Sequence, residues 1–381
     1  MNKPIIIIGS GFAAYQLVKN IRRQDTQQAI TVITADNGDE YAKPDLSHVF
    51  TKSQAAQDLI KMRADDFALE YGITLLRNSR VKSINPGEKT LMCNDEQITY
   101  HKLVLATGAK PFVPPMAGDA TDDIITLNSL EEYEKSQFQL ANAKSALVIG
   151  AGLIGTEIAM DLASAGRKVV LTDRATRLLP SLLPDFISSQ LYQTLAGQGV
   201  NIELDTQVLS LEKKATGIEV TLTNGAQYSV DCVISAVGLH PNIQLAADAK
   251  LTTNRGIVVD RQLQTSVSDI FALGDCAEIE GKVLPFLQPT LLGASALART
   301  LLGQATDIQL PAMMIKVKTP LLPIQLSGET SREDARWQIE ANATGMTAKA
   351  LDDEEQLIGF VVTQDHMKQA FPLLRQLPAM Q

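Results

Sequence analysis

Two stretches decide the fold: Ile5-Ile6-Ile7-Ile8-Gly9-Ser10-Gly11-Phe12-Ala13-Ala14 near the start, and Ala146-Leu147-Val148-Ile149-Gly150-Ala151-Gly152-Leu153-Ile154-Gly155 further along. Each is an apolar run that breaks into glycines and resumes with a helical pattern. The first glycine of such a loop turns the chain sharply out of a strand. The second lacks a side chain, so the backbone can approach a pyrophosphate, and the third position packs helix against strand. The helix N-terminus adds free N–H groups and a partial positive charge. Ala14 takes the third position in the first loop, and Gly155 takes it in the second. One loop of this kind is weak evidence. Two, each in a strand-turn-helix setting, predict two Rossmann-like domains that hold two dinucleotides. The usual reason to hold two is to pass a hydride from one to the other.

The strands that follow end near an acid. Ile30 to Thr34 leads to Asp36, slightly far from Ala14 for an acid that binds an adenosine ribose. Lys168 to Thr172 leads to Asp173, 18 residues after Gly155. A carboxylate there accepts from a ribose 2′-hydroxyl and repels a 2′-phosphate, which favours NADH over NADPH. Arg174 and Arg177 are the features that point the other way. Each half then closes with a strand ending in small residues: Leu103-Val104-Leu105 into Ala106-Thr107-Gly108, and Val233-Ile234-Ser235 into Ala236-Val237-Gly238. The architecture repeats although the sequence does not.

Three further features fall outside a core pattern. Tyr41-Ala42-Lys43-Pro44-Asp45-Leu46-Ser47-His48 sets a cation, Lys43, before a rigid proline. Ile270-Phe271-Ala272-Leu273 runs into Gly274-Asp275, which offers a carboxylate to a ligand hydroxyl such as a ribityl oxygen. Glu157 lies at the start of the second helix and is expected to meet Lys43 between the two dinucleotides.

The remainder of the chain excludes several classes. Its 381 residues are 45% hydrophobic, enough for two or three domains, and its net charge is −9. That balance argues against general nucleic-acid binding, which needs a basic surface. No run approaches the roughly 18 apolar residues of a membrane span. The first loop begins at residue 9, so no signal peptide is expected before it, and a cytoplasmic protein is expected. Cys93, Cys232 and Cys276 form no metal pattern and no Cys-x-x-Cys pair.

With these residues in hand, the chain resembles the FAD- and NAD-dependent two-dinucleotide flavoprotein reductases. Within them it is most similar to the rubredoxin reductases, in particular those that serve flavorubredoxin. The residues that carry this are the first loop with Gln16-Leu17-Val18-Lys19-Asn20-Ile21-Arg22, then Asp39-Glu40-Tyr41 with Lys43-Pro44-Asp45-Leu46-Ser47-His48, and Gly274-Asp275-Cys276-Ala277-Glu278. Leu284-Pro285-Phe286-Leu287-Gln288-Pro289 and Lys316-Val317-Lys318-Thr319-Pro320 complete the set. The similarity covers nearly the whole chain. The loops are shared by a superfamily, whereas the Lys-Pro-Asp-Leu-Ser-His, Phe-Leu-Gln-Pro and Lys-Thr-Pro segments are far more specific.

The resemblance implies non-covalent FAD held by Gly9, Ser10, Gly11, Phe12, Ala13, Ala14, Asp36, Lys43, Pro44, Val81, Ala106, Thr107, Gly108, Gly274 and Asp275, with Lys318 near the flavin ring. It implies NADH held by Gly150, Gly152, Leu153, Ile154, Gly155, Glu157, Asp173 and Gly238. Lys43, Glu157 and Lys318 are the implied catalytic residues. The implied acceptor is the rubredoxin domain of a flavodiiron nitric oxide reductase, or a free rubredoxin. Relatives that act on disulfides or peroxides need a cysteine after the first βαβ segment, where this chain has Lys43-Pro44-Asp45. Cys93 has acidic neighbours that would raise its pKa. Electrons are therefore expected to leave the flavin directly for an external acceptor. Two other readings stay open: reduction of a [2Fe–2S] ferredoxin, and a non-catalytic redox sensor.

The expected fold class is α/β. An FAD domain spans 1–108 and 242–310, an NAD domain spans 109–241, and a small α+β domain spans 311–381. Strands are expected at 313–317, 337–340, 346–350 and 357–363, then a helix over 367–377 interrupted by Pro372. Trp337, the sole tryptophan, is expected in the core.

Overall fold

The computed structural model describes residues 4–379. The chain forms two compact units. One comprises the chain up to Lys43, Gln57–Lys110 and Leu239–Gln309. The other comprises Pro44–Ala56, Pro111–Gly238 and the chain from Leu310 onward.

The first unit is built on a parallel five-stranded sheet. Its order is Ile270–Ala272, Lys102–Leu105, Ile5–Ile8, Ile30–Ile33, Thr74–Leu76. Ile5–Ile8 lies at the centre with all four side chains buried. A run of four isoleucines suits such a strand, because both faces of a covered parallel sheet are dry. The helix Phe12–Gln24 buries Ala14, Tyr15, Leu17, Val18 and Ile21, one stripe at helical spacing. Arg22 and Arg23 in its last turn complement the helix dipole. Lys102 Nζ donates to the carbonyls of Thr300 and Leu301, closing the end of the helix Leu287–Leu301. Val81–Asn85, Thr90–Cys93 and Glu96–Thr99 form an antiparallel meander.

The second unit repeats the plan with a parallel four-stranded sheet, ordered Asn201–Glu203, Lys168–Thr172, Ser145–Ile149, Cys232–Ser235. The antiparallel strands Val208–Lys214, Gly217–Leu222 and Gln227–Val230 accompany it. Their side chains share one core with Leu147, Ile149 and Val170 of the parallel sheet.

The tail is a five-stranded antiparallel sheet in the order Ile315–Val317, Ile324–Gly328, Leu357–Gln364, Gly345–Leu351, Arg336–Asn342. The helix Ala370–Leu374 covers it, and Ala370 and Leu373 pack against Phe360 and Val362. Three expectations change here. The helix expected over 367–377 is the shorter Ala370–Leu374, with Pro372 accommodated in its first turn, where no backbone N–H is needed. Ile324–Gly328 is a strand absent from the sequence reading, hidden by Pro320 and Pro323 before it. Trp337 is half-buried rather than in the core. Its edge strand faces outward along most of its length, and its ring meets Phe186 edge-on at 5.3 Å.

Candidate active site

The first loop is shaped by what its glycines exclude. Gly9 has φ +114°, and a Cβ there would sit 2.2 Å from the Ala106 carbonyl oxygen. Gly11 caps the helix Phe12–Gln24 with no side-chain hydrogen bond, and nothing lies within 4 Å of where its Cβ would be. The first-turn N–H groups thus face an open cradle. Ala14 is fully buried. Asp36 is tied back to this loop: its Oδ1 accepts from Ser10 Oγ at 2.8 Å, Thr34 Oγ1 at 2.7 Å and the Gly38 N–H at 2.9 Å. These bonds all use one oxygen of an exposed carboxylate.

Two more segments of the same unit meet this loop, one at Ala106 and one at Gly274. Asn242 holds Ala106-Thr107-Gly108 in place: Thr107 Oγ1 donates to its carbonyl, its Nδ2 donates to the Thr107 carbonyl, and its N–H donates to the Gly108 carbonyl. Gly274 has φ +82°, and a Cβ would meet Ala13 Cβ at 2.7 Å, so only glycine lets Asp275 approach here. Lys43 Nζ lies 3.6 Å from Asp275 Oδ2. Val81 is half-buried at the start of its meander strand, opposite Cys93.

The second loop follows the same rules, with its tightest approach at the third glycine. Gly150 has φ +104°, and a Cβ would lie 2.7 Å from the Ala236 carbonyl oxygen. Gly152 caps the helix Leu153–Ser164 without a side chain and opens on free space. At Gly155 a Cβ would come within 1.8 Å of the Gly150 carbonyl oxygen. Asp173 grips the loop directly: Oδ2 accepts the Ala151 N–H at 2.5 Å, and Oδ1 accepts the Ala175 N–H at 2.8 Å. Arg177 is engaged by Asp185 at 2.7 Å and by the Pro180 carbonyl. Leu153 and Ile154 border the cradle, Ile154 with its side chain exposed. Gly238 has φ +116° and accepts the Phe112 N–H through its carbonyl.

Glu157 differs from its expected place. The helix begins at Leu153, so Glu157 lies beyond the first turn. Its carboxylate is 3% exposed and already occupied. Oε1 accepts the Lys318 N–H at 2.9 Å, and Oε2 accepts from Ser47 Oγ at 3.0 Å. His48 Nε2 stands 3.3 Å from Oε2, close, but not aligned as a hydrogen bond. Within its own unit Lys43 pairs with Asp275, and within the other Glu157 accepts from Ser47 and Lys318. A carboxylate buried in this way takes whichever donors surround it, and sequence spacing does not reveal them. Lys318 Nζ donates to the Pro44 carbonyl at 3.2 Å. One turn along the helix, Asp161 is also buried and accepts from Phe50 and Thr51. The sequence offered one signal for it: a lone acid in the apolar run Ile158 to Ala163, four residues after Glu157.

The cysteines are free thiols inside the protein. Burial raises the Cys93 thiol, with Glu96 adding to the effect. Burial pushes Cys232 up to about 12 and raises Cys276 as well. Nucleophilic thiol chemistry needs the thiolate, and none of the three supplies it at neutral pH. Among the described residues, no group of His, Cys, Asp and Glu could hold a metal ion. No helix among them is long and apolar enough to cross a membrane.

Comparison with known proteins agrees with this geometry. Residues 3–296 match the family model for pyridine nucleotide-disulphide oxidoreductases, and residues 307–377 match the rubredoxin binding C-terminal domain. A nitric oxide reductase FlRd-NAD(+) reductase of Aliivibrio fischeri is 52% identical over 377 residues, 99% of each chain. Its counterpart from Pectobacterium atrosepticum is 51% identical over the full length of both. Among solved structures, a ferredoxin reductase from Rhodopseudomonas palustris superposes with a TM-score of 0.89 at 26% identity, covering 100% of this chain and 96% of that one.

Proposed function

The chain belongs to the pyridine nucleotide-disulphide oxidoreductases, and on that premise we propose that it passes electrons from NADH through FAD to the rubredoxin domain of a flavorubredoxin. That partner, a flavodiiron nitric oxide reductase, would use them to remove nitric oxide. We place the reaction in the cytoplasm, where NADH serves as reductant. The observation that carries the reading is the pair of open glycine cradles, each wired to an acid, in a chain whose thiols are all buried.

The residues present fit both nucleotides. An FAD pyrophosphate suits the cradle at Gly11, which opens on free space and which no side chain caps. Asp36 offers a carboxylate to the adenosine ribose, and Asp275 offers one to a ribityl hydroxyl. Bound there, FAD supplies the exchange between a two-electron donor and one-electron acceptors. At the second loop, Asp173 favours a free 2′-hydroxyl, and the Asp185 pairing draws Arg177 away from phosphate duty. Both observations support NADH. Lys43 and Lys318 are the cations assigned to the flavin, Lys43 oriented by Asp275 and Lys318 by Pro44. The chemistry asks the protein chiefly for orientation, since a hydride step needs no strong acid or base. The tail's family match and the names of the relatives support a rubredoxin-type acceptor.

The test mixes the protein with NADH in the absence of oxygen and offers a rubredoxin domain and a [2Fe–2S] ferredoxin in parallel. Fast catalytic bleaching of rubredoxin alone is expected. Preference for ferredoxin would reassign the acceptor. Flavin reduction with neither acceptor responding would sink the electron-transfer role and favour a redox sensor.

A further inference from the structure

We propose that Asp161 is a positioning residue for NADH-dependent flavin reduction, acting with Glu157 to fix residues 44–51 and Lys318 against the helix Leu153–Ser164. This rests on the reductase reading above.

The helix is buried along nearly its whole length, and two carboxylates lie inside it. At i and i+4 they share one face. A buried carboxylate is costly unless hydrogen-bonded, and like charges at this spacing add repulsion. Apolar side chains would pack at lower cost, so the acids are best explained by the donors they collect. Asp161 Oδ1 accepts from Thr51 Oγ1 at 2.5 Å, and Oδ2 accepts the N–H groups of Phe50 at 2.8 Å and Thr51 at 3.3 Å.

The Glu157 contacts close into a ring. Glu157 accepts from Ser47 and from the Lys318 N–H; Lys318 Nζ reaches the Pro44 carbonyl; Ser47 Oγ lies 3.2 Å from that same carbonyl. A hydroxyl carries one proton, so Ser47 shares it between Glu157 and Pro44. Residues 44–47 are thereby linked to Lys318 through one carboxylate. A single anchor would let the segment pivot. Asp161 provides the second, at residues 50 and 51. Directed hydrogen bonds set orientation as well as distance, which apolar packing does not. The segment continues without a break from Lys43. Asp161 itself lies about two and a half turns along the helix from its cap at Gly152, so it acts through the segment and not on substrate.

Two measurements test this on Asp161→Asn, Thr51→Ala and Thr51→Ser. The first is amide hydrogen exchange, on flavin-free and flavin-loaded protein. D161N should speed exchange at Phe50 and Thr51 by about tenfold, with a smaller rise at Lys318 passed through the ring. The second is anaerobic single-turnover flavin reduction against NADH concentration. D161N should lower the limiting rate by about fivefold or more while NADH affinity stays within about twofold, because the second loop is untouched. Thr51→Ala should fall between D161N and wild type, and Thr51→Ser should restore wild-type behaviour. Unchanged exchange at Phe50 and Thr51 in D161N overturns the clasp. Loosened amides with a wild-type limiting rate overturn the positioning role. Should wild type itself resist reduction by NADH, the reductase reading fails and the positioning role falls with it. Normal wild-type reduction with an unaffected D161N sinks only the present proposal.

Discussion

The two glycine loops follow one plan and reach it by different means. Both begin with a glycine at positive φ beneath a carbonyl oxygen, and both leave the second glycine facing open space. They part at the third position and at the acid. The first unit has room for Ala14; the second has none at Gly155, where the Gly150 carbonyl oxygen sits 1.8 Å from a would-be Cβ. In the first, Asp36 reaches the loop through the Ser10 hydroxyl. In the second, Asp173 takes a backbone N–H of the loop itself. The first site is thus wired through replaceable side chains and the second through main chain. The same fold signature therefore tolerates change differently in its two copies.

The third glycine should break this comparison most forcefully. Gly155→Ala has to displace the Gly150 carbonyl, and a shift near 1 Å in a binding loop can cost about 100-fold in rate. NADH-driven flavin reduction should fall by about that factor with FAD retained. The reverse change, Ala14→Gly, should cost only about 1 kcal/mol of stability, the helix penalty of glycine, and keep turnover. Equal losses from the two would refute the asymmetry. Thermal unfolding and stopped-flow reduction on the same preparations decide it.

The acids sharpen it at intermediate scale. Asp173→Asn weakens both the ribose contact and the grip on Ala151, so KM for NADH should rise about tenfold, the effect of losing one charged hydrogen bond. FAD content should stay full. Ser10→Ala should do the converse, weakening FAD retention by about tenfold for one lost hydrogen bond to a carboxylate and leaving KM for NADH alone. A rise in KM for NADH in Ser10→Ala would contradict independent wiring.

The smallest effect is on acid stability. In the second unit Asp231 accepts the N–H groups of Lys144 and Ser145 and the Ser145 hydroxyl. Burial acts to raise its pKa, but these donors outweigh it and lower the pKa below the ordinary carboxylate value. A carboxylate with a lowered folded pKa stabilises the fold above its unfolded pKa of about 3.9, and that contribution is lost as pH falls through the folded value. Among the described residues, the first unit starts its central strand with backbone bonds, Ile5 N–H to Ala29 and His101 N–H to Pro4. Asp231→Asn should flatten the acid limb below about pH 4 in the second unit only. Trp337 fluorescence reports that unit, and release of flavin fluorescence reports the other. A parallel change in both signals would remove the distinction.

Much of this is legible in the sequence. The glycine loops, the acids at Asp36 and Asp173, the closing strands and the Gly274-Asp275 turn are local signals, read from a few adjacent residues and the period of their apolar neighbours. The lack of a reactive thiol pair was equally plain. Less visible were the strand Ile324–Gly328, masked by nearby prolines, and the half-exposed place of Trp337, which depends on its strand lying at a sheet edge.

Sequence alone determined that this chain builds two glycine loops, each between a strand and a helix, because turn geometry and hydrophobic period act over short distances. Only the tertiary structure decided that Pro44–Ala56 packs in the unit of the second loop, although it lies in the sequence among residues of the first. It alone assigned Glu157 and Asp161 their partners, and Asn242 its hold on Thr107. The physical reason is shared by all three. A buried polar group must be satisfied by some donor or acceptor, but which one reaches it depends on how segments far apart in sequence come together.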